Sequence, residues 1–137
     1  MPKLWLYATK ATKTISATTK QASPDYTANF TVPSPPGKLT VGRLGLRLQV
    51  TIDSFGGTPA ATQLSYSVEV NGVERAAASW TATGAQLAVT DLTVGQFNLG
   101  AANQIKVYLW VNQGQAVVSL CQLWLGVGFT GRVRNYV

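Results

Sequence analysis

The stretch Arg43-Leu44-Gly45-Leu46-Arg47-Leu48-Gln49-Val50-Thr51-Ile52-Asp53 decides the fold class. Leu44, Leu46, Leu48, Val50 and Ile52 alternate with Arg43, Arg47, Gln49, Thr51 and Asp53. A period of two sends the two sets to opposite sides of an extended chain. The segment therefore reads as a long strand with one face in a core and one polar face toward solvent. Phe55-Gly56-Gly57-Thr58-Pro59 ends it as a loop.

The same period recurs on either side. Leu64, Tyr66, Val68 and Val70 make the next strand, and Asn71-Gly72 follows at once. Asn-Gly between two strand-like runs specifies a tight hairpin, because both turn residues take positive φ. The return strand carries Ala76-Ala77-Ala78 and Trp80, and Leu87 and Val89 form a short strand after Gly84. Residues 93–102 read as loop with a strand piece around Phe97. Ile105, Val107, Leu109 and Val111 alternate with Lys106, Tyr108 and Trp110. Asn112-Gln113-Gly114-Gln115 reads as a second hairpin loop, with Trp110 and Trp124 as cross-strand neighbours beyond it. The nearly unbroken apolar run 116–125 suits a central strand buried on both faces. Upstream, Tyr26, Ala28, Phe30 and Val32 alternate as well.

About eight strands at this spacing, with no helical stripe, predict an all-β fold. We expect a single jelly-roll-type antiparallel β-sandwich over residues 24–131. A basic N-terminal arm or edge strand precedes it (1–23), and a basic tail follows (132–137). Strand order does not follow from sequence, so jelly-roll and immunoglobulin-like arrangements both remain open.

Charge sits at the ends. The chain has 137 residues, 11 Lys and Arg, 5 Asp and Glu, no His, and a formal charge of +6. Lys3, Lys10, Lys13 and Lys20 precede any acid, and Arg132 and Arg134 close the chain. In between, Lys38, Arg43, Arg47, Arg75 and Lys106 balance Asp25, Asp53, Glu69, Glu74 and Asp91. Only 12% of residues are charged, about half the usual share, so much of the surface is neutral and polar. Depletion of charge is a mark of surfaces covered by partners.

The same inventory argues against catalysis. Without histidine there is no Ser-His-Asp or Cys-His arrangement and no ordinary zinc site. The five carboxylates are scattered, with no calcium-loop pattern and no pairing signal for glycoside hydrolysis. Cys121, the only cysteine, lies in an apolar run and reads as a small buried hydrophobe. We expect no enzyme activity, no cofactor, no metal and no small-molecule substrate. The first ten residues hold four apolar residues in a row, short of a secretory core.

Binding candidates fall into two groups. Lys3, Lys10, Lys13, Lys20, Arg132 and Arg134, with the apolar Trp5 and Tyr7, form a basic, aromatic-tipped pair of tails. Such tails neutralise phosphates or sit at a membrane surface. Trp80, Trp110 and Trp124 read as subunit-interface residues, since aromatics are enriched there. The tryptophans also allow a sugar-stacking reading.

With its strands, Gly- and Pro-punctuated loops, neutral surface and basic tails, the chain resembles single jelly-roll capsid proteins of small icosahedral viruses. The modest lysine series with an apolar tip is similar to capsid proteins of membrane-containing viruses, including those of archaea. The resemblance implies self-assembly into a shell in the virion, after synthesis in the host cytoplasm. The tails would face membrane or genome, and the partners would be copies of itself and other virion proteins. A decoration or fibre protein, or a carbohydrate-binding β-sandwich module, are the alternative expectations.

Overall fold

The computed structural model describes residues 3–31, 39–57, 62–93 and 95–131. Nine strands are found, and no helix among the described residues: β1 (Lys3–Thr9), β2 (Lys13–Ile15), β3 (Tyr26–Thr31), β4 (Leu39–Gly56), β5 (Leu64–Val70), β6 (Val73–Trp80), β7 (Gly84–Thr93), β8 (Ala102–Val111) and β9 (Gln115–Gly131). β1 and β2 run one after the other along the same edge of β9, so they act as one interrupted strand. Sheet A has the order β1/β2-β9-β4-β7 and sheet B the order β3-β8-β5-β6, with every pairing antiparallel. Successive strands after the first edge alternate between the sheets, except that β5 and β6 pair directly. That order is the eight-stranded, two-Greek-key jelly roll. It settles the strand order that the sequence leaves open.

Alternation in sequence becomes core and surface. Leu44, Leu46, Leu48, Val50 and Ile52 of β4 are buried, as are Leu64, Tyr66, Val68 and Val70 of β5. Ile105, Val107, Leu109 and Val111 of β8 join them from sheet B, and Ala116, Val118, Cys121, Leu123 and Leu125 of β9 from sheet A. Each fully buried Leu, Ile or Val contributes about 1.5–3 kcal/mol of transfer free energy. The Asn71-Gly72 hairpin forms as expected, with φ of 54° and 83°.

Three local expectations are corrected. The 112–115 loop is not a hairpin, since β8 belongs to sheet B and β9 to sheet A. It is an arch from one sheet to the other, so Trp110 and Trp124 lie on different sheets. β9 is not buried on both faces either. A register shift near Ile52 puts Ser119 and Leu120 side by side, and Val117, Gln122 and Trp124 stay half-buried on the outer face. Finally, the sandwich does not start at residue 24. Residues 3–15 already belong to sheet A, the edge-strand option of the N-terminal reading.

The connection 16–25 is strapped along β8. Val111 N–H donates to Ala17 O (2.9 Å), Asp25 N–H to Val107 O (2.8 Å), and Leu109 N–H to Asp25 Oδ2 (2.7 Å). These bonds satisfy the part of the β8 edge that β3 leaves uncovered.

Candidate functional site

Strand phase decides what reaches the outer face of sheet A. In β9, Leu123 and Leu125 point into the core, so Trp124 between them points out. Trp5 of β1 lies directly opposite Trp124. The indole centroids are 5.3 Å apart with 47° between the ring planes, and Trp5 is 54% exposed. A bulge follows Trp5, which lets Leu6 and Tyr7 both pack toward the core while Trp5 stays outside. Tyr7 meets Tyr26 at 5.8 Å.

Along the same cross-strand row, Trp124 faces Arg47 and Arg47 faces Val89. The row is Trp5, Trp124, Arg47, Val89. The next row toward β9's start is Ala8, Gln122, Gln49, Leu87. On the other side, Gly126 and Gly45 lie opposite each other, with Asp91 beyond Gly45. Arg47 folds over Gly45: a Cβ there would sit 3.0 Å from Nη1. In this pose Arg47 Nη1 reaches Asp91 Oδ1 at 3.4 Å. The result is an aromatic pair at one side, a side-chain-poor floor at Gly126, and a guanidinium–carboxylate pair at the other. Two glutamine amides stand beside it. Leu87 and Val89, about half exposed, extend the face to the free edge of the sheet. They face outward because β7's inward set is Ala88, Thr90 and Leu92.

This arrangement has a clear chemical competence. An indole face packs against apolar C–H groups, while amides, guanidinium and carboxylate exchange hydrogen bonds with hydroxyls at the rim of the same ligand. Among the described residues no group of three or more His, Cys, Asp or Glu converges.

The other predicted site residues go elsewhere. Lys13 is ion-paired with Asp25 at 2.9 Å, and Lys20 with Glu69 at 2.6 Å. Lys20 also lies 4.5 Å over the ring of Tyr108. The hydrogen bond to Glu69, opposed by partial desolvation, raises the Lys20 pKa. Two of the four N-terminal lysines thus answer acids of the body and do not form a free basic arm. Lys10 is exposed between β1 and β2. The backbone of Lys3 begins β1, but its side chain, like Arg132 and Arg134, lies outside the described residues. Trp80 is no interface residue in this fold: it is buried and stacked on Tyr66 at 4.3 Å, because β6 turns its last residue inward. Trp110 is half-buried on the outer face of sheet B, opposite Ser65.

Away from this face, a concavity of about 510 Å³ opens between the 16–25 connection and Leu109. Its charged groups are already engaged internally, Lys13 with Asp25 and Asp25 with the Leu109 amide. Cys121 does not offer a nucleophile. Burial pushes its thiol up to about 12, and the nearby Lys13 offsets this only in part.

The sequence assigns Trp5 to the tails and Trp124 to an interface, joins them only in the sugar-stacking alternative for all four tryptophans, and gives Arg47, Gln49 and Asp91 no role beyond a polar or ion-paired surface. The missing link was pairing. The phase of β9 alone turns Trp124 outward, yet nothing in the sequence says that β1 lies beside it.

No protein-family model matches the chain, and no curated protein matches it. Solved structures do. The EclA C-terminal domain, described as a sugar-binding protein, is similar with a TM-score of 0.50 at 10% identity, over 88% of this chain and 78% of that one. BuGH86, solved in complex with neoagarooctaose, is similar with a TM-score of 0.51 at 17% identity, over 96% of this chain. The chain spans about a fifth (19%) of BuGH86. At these identities the likeness is one of fold.

Proposed function

We propose that this protein is a carbohydrate-binding β-sandwich module, with the outer face of sheet A as its platform. One observation carries the reading: the Trp5–Trp124 pair, with Trp5 54% exposed, stands beside Arg47, Asp91, Gln49 and Gln122. Pyranose rings present an apolar C–H face and a rim of hydroxyls. A site with aromatic surface and a few placed polar groups matches both. The fold supports the reading in addition, since one protein that shares it is described as sugar-binding and another was solved with an oligosaccharide. Affinity electrophoresis through gels containing different polysaccharides tests it. Retardation by at least one glycan, abolished by Trp5→Ala, is the expected result. Unchanged mobility in every gel sinks the proposal.

A second reading, a shell- or particle-forming structural protein, has its own support. The strand order is that of the jelly roll, which viral capsid domains also use. Leu87 and Val89 expose apolar surface on the edge strand β7, where another copy can dock. Under this reading the protein resides in a virion and its partners are its own copies. Light scattering at low and high salt separates the two: a closed oligomer supports the shell, a monomer at all concentrations the binding module.

A further inference from the structure

The geometry of the platform points to a narrower ligand class: we infer that it takes a single, soluble, uncharged glycan chain that twists as it crosses the sheet. This rests on the carbohydrate-binding reading above and deepens it.

The twist follows from the two indoles. Their planes differ by 47° across one strand-to-strand step. No flat surface lies against both rings at once. A crystalline polysaccharide offers flat, parallel ribbons and would meet only one of them. A free chain can rotate about its glycosidic bonds between one contact and the next. The sheet supplies part of this angle, because neighbouring strands are rotated by about 20–25° and side chains inherit the rotation.

The direction follows from the floor. Glycine occupies β9 at position 126 and β4 at position 45, beside the Trp pair, with Arg47 laid flat over Gly45. The two tryptophans, Arg47 and Val89 form one row across the strands. The parallel row holds Gln122 and Gln49. A chain lying across the strands meets aromatic surface first, then guanidinium and amides, without a side chain in its way at Gly126.

The absence of ligand charge follows from the polar groups whose side chains are described. Among them Arg47 is answered by Asp91 at 3.4 Å, so that pair has no net charge to offer a uronate or sulfate. An anionic sugar drawn to Arg47 meets the Asp91 carboxylate beside it. Gln49 and Gln122 each carry a donor and an acceptor, which suits hydroxyls that do both.

The test uses the full chain and three kinds of probe: a soluble neutral polysaccharide panel (mixed-linkage glucan, xylan, galactan), microcrystalline cellulose, and polygalacturonate. Affinity electrophoresis and sedimentation with the insoluble probe are run at about 0.05 and 0.5 M salt, where screening lengths differ severalfold. The expected result is binding to a soluble neutral chain, unchanged by salt, and none to cellulose. Trp5→Ala should weaken it by about tenfold or more, as loss of a central aromatic contact does, and Gly45→Val should weaken it by displacing Arg47, whose Nη1 lies 3.0 Å from a Cβ placed at position 45. Circular dichroism confirms that both variants fold, and Trp5→Phe should recover part of the affinity. Preferential sedimentation with cellulose, or salt-sensitive binding to polygalacturonate alone, overturns this inference and leaves the carbohydrate-binding reading standing. No binding to any probe overturns both.

Discussion

The outer faces of the two sheets are built from the same chemical parts and end in opposite states. Sheet B carries Tyr108, Ser67, Glu69 and Lys106 along its centre, and Trp110 nearby. Sheet A carries Trp5, Trp124, Arg47, Asp91 and two glutamines. On sheet B the connection 16–25 runs along the β8 edge and sends the Lys20 side chain over Tyr108, bonded to Glu69 and within 3.4 Å of Ser67 Oγ. Tyr108 and Ser67 are buried there, and Ser67 also donates to the Glu74 carboxylate. The described part of sheet A has no such strap, and its tryptophans and ion pair face outward. Residue type does not decide which aromatic faces outward and which is buried. The path of the chain between strands does, as the strap beside Tyr108 shows.

The largest test of this contrast is removal of residues 1–22. If these residues were a detachable basic arm, the sandwich would survive and only assembly or partner binding would fail. In the structure they supply the edge strand of sheet A, the buried Ile15, the strap over sheet B and Lys20. Truncation should abolish the cooperative thermal transition seen by circular dichroism. A truncated chain that melts cooperatively restores the arm reading.

Next come two tryptophans that the sequence cannot tell apart. Trp80→Ala empties a buried site stacked on Tyr66 and should destabilise by about 3–5 kcal/mol, lowering Tm by roughly 10 °C or more. Trp5→Ala, on the exposed platform, should change stability by about 1 kcal/mol or less. Equal losses of Tm in the two variants break the distinction between core and platform.

Much of the fold was legible because period-two alternation is a direct record of burial. The β4, β5 and β8 core sets stand in the sequence as they stand in the structure, and Asn71-Gly72 marks its hairpin. The 112–115 loop is not legible as an arch because turn residues report that the chain reverses, and say nothing of which sheet it enters next. The burial of Trp80 is illegible for a related reason: a lone aromatic beside three alanines shows no phase. The platform itself was illegible as a unit. Its parts come from positions 5, 47, 49, 91, 122 and 124, joined only by pairings of β1, β4, β7 and β9. The basic N-terminus was legible as charge but not as ion pairs, since Asp25 and Glu69 reach Lys13 and Lys20 only through the fold.

Smaller effects concern what the two sheets share. Gly114 sits in the arch between them with φ of 61°, and a Cβ there would lie 2.5 Å from Gly56 O. Gly114→Ala should cost about 2–4 kcal/mol from left-handed strain plus the backbone clash, read by urea unfolding. The core beneath both sheets also holds groups that resist ionisation. Burial raises Cys121 to about 12 and raises Tyr26 and Tyr66 as well. Each ionises more readily in the unfolded chain, so their stabilisation is complete below the ordinary pKa and is lost as pH rises toward the folded value. Unfolding free energy should fall above about pH 9, by about 1.4 kcal/mol per pH unit for each group that titrates. A stability that stays level to pH 11 removes these groups from the core account. Cys121→Ala should shift the onset of the fall upward.

The smallest expected effect probes the strap directly. Lys20 is an exposed partner to Glu69, and such pairs are worth about 1 kcal/mol or less after screening. Its elevated pKa, set mainly by the hydrogen bond to Glu69, gives the same sign: the contribution is present at neutral pH and lost as pH rises through the lysine range. Lys20→Ala should therefore barely move Tm. It should, however, speed amide exchange within residues 16–25, because the side chain pins the strap at its middle while backbone bonds hold it at Ala17 and Asp25. Glycan binding on sheet A should stay unchanged, since Lys20 lies on the opposite face of the sandwich. If binding falls with Lys20, the two faces are coupled. If exchange in the strap does not change, the cover on sheet B is held by its backbone alone, and the difference between the faces rests on chain path without help from the lysine.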